Sequence, residues 1–103
     1  MTSAPTDTRL DVELLRLLAD PLRARLVSLL AAEELCTCHL VELTGARQTN
    51  VSNHLRLLRE AGVVETEPCG RYTYYRLVPA ALTALAGQLQ GLADTVPARR
   101  PCP

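Results

Sequence analysis

The stretch TCHLVELTGARQTNVSNHLRLLREAG, residues 37–62, decides the fold. Leu40 and Leu43 give its first part, about Thr37 to Leu43, one apolar face at helical spacing. Thr44-Gly45 stops that helix, because glycine accepts the left-handed backbone on which helices commonly end. After a short turn a longer helix runs from about Gln48 to Ala61. Val51, Leu55 and Leu58 form its inward stripe, and Gly62 closes it. A short helix, a glycine-containing turn and a longer helix make a helix-turn-helix. The outward face of the longer helix carries Gln48, Thr49, Asn50, Ser52, Asn53 and Arg56. Asn, Ser and Thr are weak formers of a solvated helix, so their accumulation here needs another reason. Gln and Asn bond adenine edges bidentately, Ser and Thr reach bases or phosphates, and Arg holds guanine or phosphate. The pattern predicts a recognition helix on duplex DNA, with His54 as a phosphate contact or a packing residue.

Upstream, Leu10, Leu14, Leu17 and Leu18 predict a first amphipathic helix of about ten residues. Asp20-Pro21 separates it from a second, which runs through Leu22, Leu26, Leu29 and Leu30 to near Ala32. The aspartate caps that helix and the proline fits its first turn. Glu33 to Cys36 reads as a connector. Downstream, Val63 to Thr66 and Arg71 to Leu77 predict two strands, with the turn over Glu67-Pro68-Cys69-Gly70. Arg71, just past that turn, is placed for a phosphate or the minor groove. Pro79 opens a last helix with an apolar stripe of Leu82, Leu85, Leu89 and Leu92. The expected architecture is mainly α with a β-hairpin wing, a winged helix-turn-helix in residues 10–94. A mobile N-terminal arm (1–9) and a flexible, proline-rich tail (95–103) flank it.

The chain has 103 residues, enough for one domain near the lower size limit for a self-sufficient core. With no Trp, no Phe and three Tyr, that core must be Leu, Val and Ala, which suits packed helices. Net charge is zero, but its distribution is uneven. Residues 1–46 hold four Arg against seven acids, and residues 47–76 hold five Arg against three acids, so the DNA-facing half is locally basic. No apolar run reaches the roughly 20 residues of a membrane span. Met1 to Thr8 lacks a signal-peptide pattern, so a cytoplasmic location is expected. No phosphate-cradling glycine loop or nucleophilic triad is present, and a non-enzyme is expected.

Leu18-Ala19-Asp20-Pro21-Leu22-Arg23, the block Ser52 to Val64, Gly70-Arg71 and Tyr75-Arg76-Leu77 together resemble the ArsR/SmtB family of metalloregulatory repressors. The resemblance covers about Leu10 to Leu92. It implies a winged-helix homodimer, paired through its first and last helices, that binds an imperfect inverted repeat in operator DNA and leaves it on binding a metal ion.

The stretch Glu34-Leu35-Cys36-Thr37-Cys38-His39-Leu40 is similar to the Cys-x-Cys motif at the start of the third helix in the arsenic- and cadmium-sensing branches. On a regular helix two residues apart point about 200° from each other and cannot share an ion. At a helix start the first Cys stays outside the helix and both sulfurs can turn together. Thiolates select soft ions, so As(III) is the expected inducer, with Sb(III) beside it and no organic cofactor. Arsenic sensors often carry a further Cys three residues on, where this chain has Val41. Cys102 on the tail is the leading third ligand. Cys69, read at the hairpin tip, and a small external thiol are the other choices, and His39 is a lesser one. Arm cysteines of the cadmium and lead type are absent from residues 1–20. The last helix, Pro79 to Asp94, has no His and one acid, which disfavours the family's zinc or nickel site. Cadmium, lead or thiol oxidation acting through the same cysteines is the alternative.

Overall fold

Two aspartates set where the first helices begin. In the computed structural model, which describes residues 9–103, Asp11 accepts a hydrogen bond from the Leu14 N–H at 3.0 Å. Helix α1 therefore spans Val12–Leu18, seven residues, and Leu10 lies outside the helix that its spacing predicted. Asp20 accepts from the N–H groups of Leu22 and Arg23 and starts α2 (Pro21–Ala32), with Pro21 in the first turn. The Arg23 N–H bond holds the Asp20 carboxyl below the usual carboxylate range. The predicted arm lies outside the described residues, apart from Arg9.

There follow β1 (Leu35–Cys36), α3 (Thr37–Thr44), α4 (Gln48–Glu60), β2 (Val64–Cys69), β3 (Tyr72–Leu77) and α5 (Pro79–Ala93). The strands form one antiparallel sheet in the order β1-β3-β2. The wing is thus a hairpin plus a third strand, and part of the predicted connector is that strand. Leu35 stands opposite Tyr75, and Cys36 opposite Tyr74. Two residues are too few to show alternation, so only the partner strand defines them. The wing turn is also tighter than predicted. Strand β2 continues through Glu67, Pro68 and Cys69, and the reversal is made by Gly70-Arg71 with Gly70 at φ +62°. Pro68 is tolerated because β2 is an edge strand.

The core gathers Leu26 and Leu30 of α2, Leu35, Leu40 of α3, Val51, Leu55 and Leu58 of α4, and Val63-Val64. The inward stripe predicted for α4 is fully buried. This shared core, with about 25 cal/mol for each Å² of apolar surface removed from water, fixes the two helices of the helix-turn-helix against the sheet. Coverage is thinner at the chain ends. No residue of α1 is fully buried, and on α5 only Leu85 is, while Leu89 and Leu92 stay 46% and 47% exposed. Residues 95–103 have no regular secondary structure and are exposed. Among the described residues no helix is long and apolar enough to cross a membrane.

Candidate functional site

The turn between α3 and α4 is held by short-range bonds. Gly45, at φ +71°, donates its N–H to the Val41 carbonyl at 2.9 Å. Thr44 Oγ1 donates to the Leu40 carbonyl at 2.7 Å and accepts from the Ala46 N–H at 3.2 Å. Helix α4 then starts at Gln48 with no side chain capping it. Its first N–H groups are left for an outside acceptor, which suits a phosphate. Gln48, Thr49, Asn50, Ser52, Asn53 and Arg56 are all exposed, whereas Val51, Leu55 and Leu58 are buried. Arg71 is exposed at the wing tip.

His54 differs from that set. It is half-buried, and its Nδ1 lies 2.8 Å from Nη1 of Arg23, a pair in which the guanidinium donates and the ring nitrogen accepts. The same Arg23 donates Nε–H to the Leu17 carbonyl at 2.6 Å. One guanidinium therefore ties the end of α1, the start of α2 and the middle of α4. In the sequence Arg23 stands out only as the end of the Leu18–Arg23 motif. Its one local signal was an arginine in the first turn after a helix break, beside a carbonyl that the ended helix leaves unpaired.

The thiol pair sits where sheet meets helix. Cys36 is the last residue of β1 and the N-cap of α3, with extended backbone (φ −84°, ψ 169°). Its sulfur stands over the N–H of His39, and His39 Nδ1 accepts the Cys36 N–H at 3.2 Å, a reciprocal cap. Cys38, in the first turn, brings its sulfur to 2.7 Å from that of Cys36. The Cys36 side chain is 3% exposed and Cys38 is exposed. Burial opposes ionisation of Cys36, but the hydrogen bond from Cys38 and the N–H groups at the helix start outweigh it, so its thiol lies below the ordinary value. Cys38 is pushed up, first by the proton it gives to Cys36, then by burial and by the charge on Cys36. Of the two thiols, Cys36 is the more readily ionised and Cys38 the one that holds its proton.

Cys36 and Cys38 open into a groove of ≈ 530 Å³ between α3 and the wing, whose other walls include Glu42, Gln48, Arg71, Tyr72 and Thr73. Cys69 and Cys102 are exposed and do not line it. Cys69 is not in the turn, as the sequence suggested, but ends β2 opposite Tyr72. His39 turns its ring edge-on to Tyr74 at 6.0 Å and lines a separate cleft with Glu33 and Glu34. Among the described residues no group of three His, Cys, Asp or Glu side chains is arranged to hold a metal ion. The thiols come together as two.

A helix-turn-helix with exposed polar recognition face and a sheet wing defines a winged-helix DNA-binding protein. The profile of the bacterial regulatory proteins of the arsR family matches residues 20–66. The arsenic resistance transcriptional regulator ArsR1 of Pseudomonas putida is 41% identical over 78 residues, which are 75% of this chain and 61% of that protein. The chain thus spans less than two thirds of that relative's length. Among solved structures, a possible transcriptional regulator for arsenical resistance superposes with a TM-score of 0.70 at 37% identity, covering 79% of this chain and 84% of the other. The AntR antimony-specific transcriptional repressor gives 0.63 at 32% identity, covering 81% and 77%. The chain belongs to the ArsR family, whose members are DNA-binding transcriptional regulators and not enzymes.

Proposed function

We propose that this chain is a repressor that binds operator DNA as a homodimer and is released when Cys36 and Cys38 capture trivalent arsenic or antimony. The observation that carries this reading is the 2.7 Å approach of the two sulfurs at the start of the first helix of the helix-turn-helix. A soft, thiol-seeking centre such as As(III) or Sb(III) supplies strong bonds to sulfur, and two adjacent cysteine sulfurs, one of them exposed, are the matching donor set. The names of the arsenic-resistance and antimony-specific relatives support the same ligand class. Cys102, exposed on the tail and outside the groove, is the chain's own alternative to an external third sulfur.

The switch follows from what Cys36 does before any ligand arrives. Its N–H and its sulfur both meet His39 Nδ1 in the first turn of α3, and its backbone is paired to Tyr74 in the wing. A sulfur turned away to bind breaks that contact and loosens the first turn of α3. Helix α3 shares Leu40 with the core under α4 and joins it through the bonded turn at Gly45, so a shift of one moves the other. Taking a repressor from 99% bound to 99% free needs about 5.5 kcal/mol of difference between the two states. Structural zinc sites with four protein ligands reach about 10–16 kcal/mol in all, so two or three bonds to sulfur need to place only part of such an energy into the difference between the two states. Gln48 to Arg56 on α4 and Arg71 on the wing make the DNA contacts, with His54 holding the helix to Arg23. The apolar residues left exposed on α5, with those of α1, form the dimer surface.

The test is fluorescence anisotropy of the reduced chain on its own promoter DNA, titrated with arsenite, antimonite, cadmium, zinc and peroxide. Release by arsenite or antimonite that vanishes in Cys36→Ser/Cys38→Ser supports the reading. DNA that stays bound at saturating arsenite and antimonite sinks it. Release by peroxide alone moves the pair to a thiol-oxidation switch, which the sulfur–sulfur contact also suits.

A further inference from the structure

We infer that the third ligand position beside Cys36 and Cys38 is filled by an external amino-acid thiol of the cysteine or glutathione type, seated in the groove between α3 and the wing. The inference rests on the arsenic reading above and goes on to name the co-ligand. Trivalent arsenic makes three bonds, and the fold brings only two sulfurs to the place. His39 is near, but its Nδ1 has one lone pair and already accepts the Cys36 N–H. The same Nδ1 stands 3.2 Å from the Cys36 sulfur, so His39 reaches an ion there only by giving up the Cys36 N–H, while its ring packs edge-on to Tyr74. Neither Cys69 nor Cys102 lines the groove.

The groove itself fits such a co-ligand. Its ≈ 530 Å³ falls within the range of about 300–1,000 Å³ that holds small molecules. Glu42 lines it from the α3 side and Arg71 from the wing, and among the described residues neither makes an ion pair. An amino-acid thiol carries an ammonium for the first and a carboxylate for the second, with Gln48, Thr37 and Thr73 offering hydrogen bonds between them. The sulfur is delivered at the Cys36–Cys38 end. The chemistry balances without any oxidant: As(OH)₃ with two protein thiols and one external thiol gives three As–S bonds and three waters. Each thiol proton leaves on a departing hydroxide. The co-ligand carboxylate would then occupy Arg71, and its backbone would crowd Gln48, so two of the groups proposed for DNA are taken at once.

The experiment is native mass spectrometry of the reduced Cys102→Ser chain in a phosphine reductant with arsenite, adding glutathione or, for comparison, uncharged 2-mercaptoethanol. The expected species is the chain with one arsenic and one glutathione. Arsenite retention should be about tenfold tighter with glutathione than with 2-mercaptoethanol, and Glu42→Gln or Thr73→Trp should remove most of that gain. The inference is overturned if arsenic stays on Cys102→Ser without any external thiol. It is also overturned if Cys102→Ser loses arsenic even with glutathione, or if both groove variants retain the full gain. Phenylarsenous acid, which needs two sulfurs only, separates this from failure of the parent reading. If it binds the intact pair and not Cys36→Ser/Cys38→Ser while no ternary species forms, the co-ligand alone falls. If the intact pair does not retain it either, the arsenic site itself falls.

Discussion

Replacing Arg23 by methionine keeps the aliphatic stem and removes both hydrogen bonds by which this residue joins three helices. The Leu17 carbonyl loses its donor from Nε at 2.6 Å, and His54 Nδ1 loses its donor from Nη1 at 2.8 Å. Bonds from a charged donor contribute about 1.5–3 kcal/mol each, and because Arg23 and His54 are half-buried the lower end applies. The expected loss is about 3 kcal/mol. For a chain of this size each kcal/mol lowers Tm by about 4–8 °C, so Arg23→Met should melt roughly 12–24 °C below the parent at matched concentration. Circular dichroism melts read the shift, and chemical denaturation reads the free energy. A double-mutant cycle with His54→Ala checks that the His54 bond carries half of it. The coupling should be about 1.5 kcal/mol. Additivity within about 0.3 kcal/mol would refute the claim that Arg23 braces the recognition helix through His54.

In a Cys69→Ser/Cys102→Ser background, which leaves no other thiol, the pair should titrate in two steps when followed by thiolate absorbance, the first below and the second above free cysteine. Since Cys36 is held down largely by the proton of Cys38, Cys38→Ala should leave one step, moved upward from the first. A single unsplit transition with the pair intact would contradict the sulfur–sulfur geometry. Leu55 is fully buried under the recognition helix, and Leu55→Ala should cost roughly 3–5 kcal/mol in urea unfolding, whereas a loss under 1 would mean the helix-turn-helix does not pack as described. Leu89→Glu with Leu92→Glu, both on the uncovered side of α5, should give monomers in sedimentation and weaken operator binding together, and a persisting dimer would place the interface elsewhere. On DNA, Arg71→Ala should weaken all sequences alike and reduce the salt slope by about one, while Asn53→Ala should cost about 1–3 kcal/mol on the operator alone.

The helices were legible because their signals are local. Val51, Leu55 and Leu58 announce a buried face by spacing, Asp20-Pro21 announces a start by its chemistry, and Gly45 announces a stop by its conformation. Misplacements occurred where a distant partner decides. Leu35-Cys36 has no strand signal of its own and becomes a strand by pairing with Tyr74 and Tyr75, far along the chain. The wing turn moved because Pro68 reads as a turn residue until the sheet order shows that it lies on an edge. For the site, the adjacency of Cys36 and Cys38 in sequence suggested the pair, and the extended backbone of Cys36 brings the sulfurs together. The groove beside them was not readable, since Glu42, Gln48 and Arg71 come from three separate elements.

Cys36 belongs to two structures at once, the final residue of a strand in the wing sheet and the first support of the helix below the recognition helix. It is a hinge pin common to both arms of a forceps, one arm proposed for the major groove and the other for its neighbouring backbone. A disturbance at such a pin cannot slacken one arm and leave the other gripping. Letting go of the operator should then be a single event, in which a dye at the wing tip and a dye at the start of α4 respond at the same rate, with no half-held complex between.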